Sequence, residues 1–357
     1  MHARKIVSLC AAALCFGALS TSASAQQKLY VYTSMKESML GGLKTAFTKK
    51  HPDIKLDFQS AGAGKLMAKI AAERESGKIL ADVLWTSEIP DFYQLKAGGL
   101  LLKYVPTEIK ALVNPLPDYD GSFTPARLGT IGIVYNTRFV KEAPKTWDDI
   151  KKPAFKGAFG IANPALSGTA FMSVDIIAKK FGWQYFEALR ANGAKIGKGS
   201  GQVVDDTASG DLVGCLGVDY ITLDKIEKGA TLALAFPPEM LVIPSPIAIF
   251  KNSANLEPAK KFVDFVLSKE GQSIIAEDGT IPVRTDVKIP DRFKGILPTA
   301  DEAMKRALPV DYRKILSEKE AAAKLEADVR AGKKIDMTQL MSEKEATIKK
   351  FTDIMQK

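Results

Sequence analysis

Five short turns rich in glycine, serine and threonine carry the residues best suited to hold a ligand. The candidate binding residues in these turns are Thr33, Ser34, Gly62, Ala63, Ser87, Glu88, Ser167, Gly168, Thr169, Ala170 and Ser200. Each turn follows a predicted strand or opens a predicted helix, where unpaired N–H groups and the helix dipole attract anions. Helix capping explains any one such turn. Five of them at equivalent places predict a single cleft for an anion.

The residue patterns of common enzymes are absent from the sequence. Apart from His2, the one histidine is His51, in a polar turn. No serine has the glycine spacing of a nucleophile elbow, and Gly62–Lys65 lacks the spacing of a P-loop. No Cys/His cluster offers a zinc site. The sequence therefore favours a binding protein over an enzyme, with no catalytic residue and no cofactor.

Strand-like and helix-like segments alternate along the first part of the chain. The predicted strands cover residues 29–32, 54–58 and 81–85. Met39, Leu43 and Phe47 recur at helical spacing between the first two. This order predicts an α/β fold with an open, mostly parallel sheet flanked by helices. Ligands of such sheets bind beyond the carboxyl ends of the strands, where the turns lie.

A second α/β unit is predicted over residues 131–245, and Asp219 and Tyr220 follow its strand 213–218. The first lobe would then combine residues 26–130 and 246–357. Two crossing segments, near 130–136 and 242–250, would join the lobes as a hinge. The region of about 305–357 is rich in Ala, Glu, Lys and Leu, and we expect it to form an exposed helical tail of the first lobe.

The first 25 residues have the pattern of a secretory signal peptide. Arg4 and Lys5 precede an apolar run over residues 6–19, and small residues follow up to Ala25. We therefore expect a cleavable signal over residues 1–25 and a periplasmic location. The net charge of +9 is spread along the chain, whereas a nucleic-acid partner would require clustered basic residues. We expect no such partner, and a monomer.

Five segments, 33–37, 81–90, 132–137, 163–170 and 259–272, together have the order of motifs of a known family. They resemble the periplasmic solute-binding proteins of ABC importers, in the group with ferric-ion-binding and phosphonate- or sugar-phosphate-binding members. The resemblance covers about residues 28–290. It implies a two-lobed type II periplasmic binding fold that closes on its ligand. It also implies an ABC permease and its ATPase as partners.

The resemblance implies either a small organic anion or ferric iron as the ligand. Ferric-binding relatives often use a glutamate after the third strand and a tyrosine pair in the second lobe. Here Glu88 matches the glutamate, and Asp219 and Tyr220 replace the tyrosine pair. Phosphonate and sugar-phosphate binders need no metal ligands and resemble segments 167–170 and 198–201.

Because this metal set is incomplete, we favour a phosphonate or phosphorylated organic compound, bound without chemical turnover. Fe³⁺ held by Glu88, Asp219 and Tyr220 is the alternative, and a secreted phosphate-ester hydrolase is a second alternative. Structural roles also remain open for the same residues, since Glu88 could neutralise a helix start and Tyr220 could serve in packing.

Overall fold

The computed structural model describes residues 26–113, 119–309 and 343–356. The predicted signal peptide and residues 310–342 of the predicted tail lie outside this part. Within it, one mixed sheet contains nine strands. They are β1 (Gln27–Thr33), β2 (Ile54–Ser60), β3 (Val83–Trp85), β4 (Thr124–Asn136), β5 (Phe159–Ala162), β6 (Lys195–Gly197), β7 (Gly214–Val218), β8 (Leu232–Ala235) and β9 (Leu241–Ile249).

Helices cover the faces of this sheet. They are α1 (Glu37–Lys50), α2 (Ala63–Glu75), α3 (Ile89–Ala97), α4 (Gly168–Phe181), α5 (Gln184–Ala191), α6 (Ser200–Ser209), α7 (Asp219–Glu227), α8 (Leu256–Leu267), α9 (Lys269–Glu277), α10 (Ala300–Arg306) and α11 (Glu343–Gln356). None of the described helices is long and apolar enough to cross a membrane.

The first lobe is built on β2, β1 and β3, which pair in parallel. Met39, Leu43 and Phe47 are all buried on α1, which confirms the helix predicted from their spacing. Phe47 packs edge to face against Phe262 of α8, with ring centroids 5.4 Å apart. The core of this lobe therefore fixes the strands whose carboxyl ends carry the first three turns.

The second lobe is built on β7, β5 and β6, which also pair in parallel. Strand β8 adds an antiparallel partner to β4. The helices α4, α5 and α6 cover this part of the sheet, and α4 is buried at nine of its fourteen residues. Its N-cap, Ser167, accepts a hydrogen bond from the Ala170 N–H, so the helix begins at the predicted turn.

Two long buried strands run from one lobe into the other. Strand β4 pairs antiparallel with β9 from Thr124 opposite Ile247 to Ile131 opposite Leu241, with a register shift between Pro125 and Leu128. Strand β9 also pairs with β3, and β4 also pairs with β7. These antiparallel pairs make the sheet mixed. The lobe boundaries predicted at 130–131 and 245–246 fall inside these two strands.

The prediction of an exposed tail belonging to the first lobe is wrong for its last segment. Helix α11 packs against α4 and α5 of the second lobe. Phe351 is fully buried, and Ile354 and Met355 are nearly so. This apolar face lies against the second lobe because Phe351 meets the Phe186 ring edge to face, with centroids 5.1 Å apart.

Candidate functional site

The three predicted turns of the first lobe meet at one edge of the sheet. Thr33 pairs with Ser60 on one side and with Trp85 on the other, so the three strands end in register. The Ser34 N–H donates to the Trp85 carbonyl at 3.1 Å, and the Ala61 N–H donates to the Thr33 carbonyl at 3.1 Å. The buried Thr33 hydroxyl accepts from the Met35 N–H at 3.0 Å and shapes its own turn.

The turns of the second lobe also lie together. The hydroxyl groups of Ser167 and Ser200 are 2.8 Å apart, and Thr169 places its hydroxyl 3.5 Å from that of Ser167. Gly168 and Ala170 are buried in the first turn of α4, while Thr169 is half-buried. The starts of α4 and α6 therefore present hydroxyl and N–H groups on one surface.

These two surfaces face each other and touch. An ideal Cβ atom placed on Gly168 would lie 2.4 Å from Cγ of Glu88. One placed on Gly62, just before Ala63 at the start of α2, would lie 3.0 Å from the Leu166 carbonyl oxygen. The contact at Gly168 leaves no room for a side chain while Glu88 stays in place, and the contact at Gly62 leaves little. The lobes are therefore closed against each other along the predicted turns.

Asp219 has a structural role in the hinge. Its carboxylate is fully buried and accepts hydrogen bonds from the Thr130 N–H and hydroxyl, both at 2.8 Å. It also accepts from the Tyr220 N–H at 2.7 Å and the Thr280 hydroxyl at 3.3 Å. Burial raises the pKa of Asp219, and the Arg127 charge acts in the opposite direction. With four hydrogen bonds, three of them to Oδ2, Asp219 links strand β4 to the start of α7.

Arg127 is the buried cation beside Asp219. It lies in β4 at the register shift, a kind of irregularity that redirects side chains in strands. Only 1% of Arg127 is exposed, and its guanidinium group lies 4.8 Å from the centre of the Tyr220 ring. It donates to the hydroxyls of Ser245 at 3.2 Å, Thr280 at 3.3 Å and Ser87 at 3.5 Å.

These three partners are neutral hydroxyls and form no ion pair with Arg127. Among the described residues no carboxylate lies within 4.0 Å of its guanidinium nitrogens, and Asp219 reaches it only through Thr280. The guanidinium has five N–H donors in a planar fork that matches the oxygens of a phosphate or carboxylate. The Arg127 charge acts to lower the pKa of Asp219 and of Asp278, so these carboxylates compensate part of it at a distance. The remaining donors of the fork are suited to an anion.

A second charged cluster closes one side of the cleft. Glu88 and Asp91, at the start of α3, are both buried. The Lys344 ammonium of α11 contacts the Glu88 carboxylate and lies 3.0 Å from Asp91. Two carboxylates thus share one cation. Burial and the Asp91 charge raise the pKa of Glu88 to about 7, against the lowering effect of Lys344. Burial lowers the pKa of Lys344, but the charges of Asp91 and Glu88 outweigh it and raise that pKa.

The raised pKa of Glu88 predicts a pH dependence of stability. Unfolded glutamate titrates near 4.5, whereas Glu88 in the folded protein titrates at about 7. The folded state therefore binds this proton more strongly, and the contribution of Glu88 is fully present below the lower pKa and lost as pH rises through the higher one. Urea unfolding should give a lower free energy of unfolding at roughly pH 8 than at pH 5. In Glu88→Gln this part of the fall should disappear, and an equal fall in both proteins would contradict the assignment.

The structure brings several of the predicted residues together. Ser87 and Tyr220 contact Arg127, Asp219 lies beside it, and Glu88 lies against Gly168. Sequence reasoning did not identify the charged and polar residues between them. The residues that it missed are Asp91, Arg127, Ser245, Thr280 and Lys344. A lone arginine inside an otherwise uncharged strand was the available signal for Arg127. No local pattern marks Lys344, since tertiary packing brings α11 to the cleft.

The two lobes, the two crossing strands and the cleft lined by helix starts define a solute-binding protein of the type II periplasmic binding class. Residues 32–273 match the family model described as bacterial extracellular solute-binding protein. This match covers well over half of the chain, and the chain belongs to that family.

The relatives differ in the ligands that their names give. The chain is 28% identical, over 68% of its length and 73% of the relative's, to a Salmonella typhimurium protein named "Putative 2-aminoethylphosphonate-binding periplasmic protein". It is 27% identical, over 73% of its length and 82% of the relative's, to the major ferric iron-binding protein of Neisseria meningitidis serogroup B.

Among solved structures, the chain resembles the periplasmic binding protein AfuA of Actinobacillus pleuropneumoniae with exogenous fructose-6-phosphate bound. The TM-score is 0.72 at 24% identity, over 93% of this chain and 99% of that one. At this identity the likeness concerns the fold alone. It agrees with the predicted α/β architecture of two lobes.

Proposed function

We propose that this protein captures a small phosphonate or phosphorylated organic compound between its lobes and delivers it to an ABC permease whose ATPase is a separate chain. It acts in the periplasm as a monomer, after removal of residues 1–25, and it binds without chemical turnover and without a cofactor. Family membership and the binding proteins among its relatives support this role.

The buried guanidinium of Arg127 is the observation that carries the proposal. It lies between Ser87 of the first lobe and Tyr220 of the second, with hydroxyl acceptors at 3.2–3.5 Å. Such bonds are long for a charged donor, whose bonds to carboxylate or phosphate are about 2.7–2.9 Å. A phosphonate or phosphate group would supply the missing charge and the bidentate geometry.

The starts of α4 and α6 supply a second set of donors from the opposite lobe. Since an anion between the lobes makes both sets of contacts only in the closed form, binding favours closure. Ser34 and Gly62, at the facing edge, would contact the ligand, and Thr33 and Ala63 would hold those turns in place. Asp219 and Tyr220 position Arg127 for the contact.

Removal of two hydroxyls at these helix starts should weaken anion binding. We expect Thr169→Val combined with Ser200→Ala to raise the dissociation constant for a phosphonate more than about tenfold, or ~1.4 kcal/mol. Ser209→Ala is the matched control, because its exposed hydroxyl lies at the other end of α6 and bonds to the Asp206 carbonyl. Isothermal titration calorimetry measures the dissociation constant. A double variant that binds the phosphonate as tightly as Ser209→Ala does would contradict the prediction.

The charges of the cleft favour an organic anion over ferric iron. Each candidate metal ligand lies beside a cation. Lys344 contacts Glu88. Arg127 stacks on Tyr220 and is linked to Asp219 through the Thr280 hydroxyl. Cations in these positions repel Fe³⁺. Asp219 also accepts four hydrogen bonds within the hinge. Iron remains the alternative that the experiment must exclude.

Calorimetry, an assay for released inorganic phosphate and visible absorbance together test the proposal. We expect saturable one-to-one binding of 2-aminoethylphosphonate or a sugar phosphate, no release of inorganic phosphate, and no tyrosinate-to-iron absorbance when ferric citrate is added. Visible absorbance on adding iron would replace the proposal by the ferric alternative. Phosphate release from the ester would replace it by the hydrolase.

A further inference from the structure

Helix α11 joins the two lobes on one side of the cleft. Its apolar face, formed by Phe351, Ile354 and Met355, is buried on the second lobe. Its first turn carries Lys344, which reaches the first lobe at the start of α3. The helix thus holds a lysine from one lobe against acidic side chains of the other.

The position of Lys344 is well defined by its surroundings. Its ammonium lies 3.0 Å from Asp91, contacts Glu88, and lies 5.7 Å from the centre of the Phe171 ring. The side chains of Glu88 and Asp91 are only 3% and 4% exposed. Because an ideal Cβ on Gly168 would meet Cγ of Glu88 at 2.4 Å, this cluster lies at the contact between the lobes.

Without Lys344 the cluster would have the properties of a cation site. Two buried carboxylates that lack a cation carry a large desolvation free energy. The binding of a cation or a proton offsets this cost. Carboxylate oxygens are also the ligands that hard cations prefer. The ammonium group of Lys344 already provides that charge from within the chain. A dissolved metal ion must displace it and remain beside a lysine held close by α11.

We propose that Lys344 is a selectivity-determining residue of the cleft, which occupies the cation position between Glu88 and Asp91 and so restricts the cleft to anionic solutes. This inference rests on the proposed function, since it explains how a cleft with acidic side chains selects an anion. It assigns a binding role to the terminal helix, which is otherwise a packing element. The role depends on the positive charge of the side chain. Lys344→Arg should therefore preserve it, and Lys344→Met should abolish it.

The test compares cation and anion binding in matched variants of the full chain. Lys344→Met removes the ammonium and keeps most of the side-chain volume. Lys349→Met is the control, since Lys349 lies on the same helix and pairs with Asp353 in solvent. Tb³⁺ is the cation probe, read by its luminescence under excitation of tryptophan and tyrosine, and 2-aminoethylphosphonate is the anion probe, read by calorimetry.

We expect Lys344→Met to bind Tb³⁺ at least about tenfold more tightly than the wild type and Lys349→Met do. The gain should disappear in Lys344→Met combined with Glu88→Gln, and Lys344→Arg should behave as the wild type does. Equal Tb³⁺ affinity in Lys344→Met and Lys349→Met would overturn the inference. A gain that survives Glu88→Gln would also overturn it, because the new site would then lie elsewhere.

The two probes separate failure of this inference from failure of the proposed function. If the wild type binds no phosphonate or phosphate ester, the proposed function fails, and the inference fails with it as a statement about anion selection. If the wild type binds phosphonate but Lys344→Met shows no gain for Tb³⁺, only the inference fails. Thermal unfolding of each variant, followed by circular dichroism, confirms that the protein is still folded, and Lys344→Arg provides the comparison if methionine destabilises it.

Discussion

Arg127→Met will lower the affinity for a phosphonate or phosphorylated solute by at least about a hundredfold, or ~2.8 kcal/mol. Hydrogen bonds to charged groups contribute about 1.5–3 kcal/mol each, and the guanidinium fork can make two of them to one phosphoryl group. The substitution also removes the positive charge that acts on buried Asp219, so thermal unfolding must show that Arg127→Met is folded before its affinity is compared. Calorimetry with 2-aminoethylphosphonate measures the loss.

Arg138→Met is the matched control for this change. Arg138 also lies over an aromatic ring, 5.4 Å from the centre of Phe139, and it donates to Asn136. It is exposed to solvent outside the cleft, so its loss should leave ligand affinity unchanged. Arg127→Lys keeps the charge but loses the fork, and we expect an intermediate affinity. A folded Arg127→Met protein that binds as tightly as Arg138→Met would contradict the role of Arg127.

Gly168→Val will weaken ligand binding at least about tenfold, or ~1.4 kcal/mol, because it obstructs closure. A Cβ at this position would lie 2.4 Å from Cγ and 2.7 Å from Oε1 of Glu88. Glu88 has little room to move, since its buried carboxylate is paired with Lys344. The open form separates the two surfaces and should tolerate valine. Calorimetry gives the affinity, and small-angle X-ray scattering shows whether ligand still compacts the protein.

Gly41→Val tests whether the effect is specific to the contact between the lobes. Gly41 is exposed on α1, and a Cβ there would meet nothing within 4 Å. This control should bind ligand and close as the wild type does. Equal affinity and equal compaction in Gly168→Val and Gly41→Val would show that the closed arrangement around Glu88 is not the one that holds ligand.

Local pattern was sufficient to predict the turns because strand ends are set by short-range rules. Thr33, Ser60 and Trp85 stand at the ends of parallel strands that pair in register, so the residues that follow them must lie close together. The same reasoning applies to Ser167 and Ser200 after β5 and β6. Alternation of strands and helices was likewise enough to predict the α/β class.

The cations of the site could not be predicted in this way, because their positions depend on long-range packing. Arg127 belongs to a crossing strand, and its direction depends on a register shift against β9, more than a hundred residues away in the chain. Lys344 reaches Glu88 only because α11 docks on α4 and α5. The composition of the tail suggested an exposed helix, whereas Thr347, Phe351 and Ile354 recur at helical spacing and mark a buried face.

A crystal structure of the chain with 2-aminoethylphosphonate tests most directly whether the cleft is an anion site centred on Arg127. We expect the phosphonate between the closed lobes, with at least one oxygen about 3 Å from the Arg127 guanidinium and with Lys344 still paired to Glu88. A phosphonate bound on an outer surface, or held in the cleft beyond the reach of Arg127, would contradict this assignment.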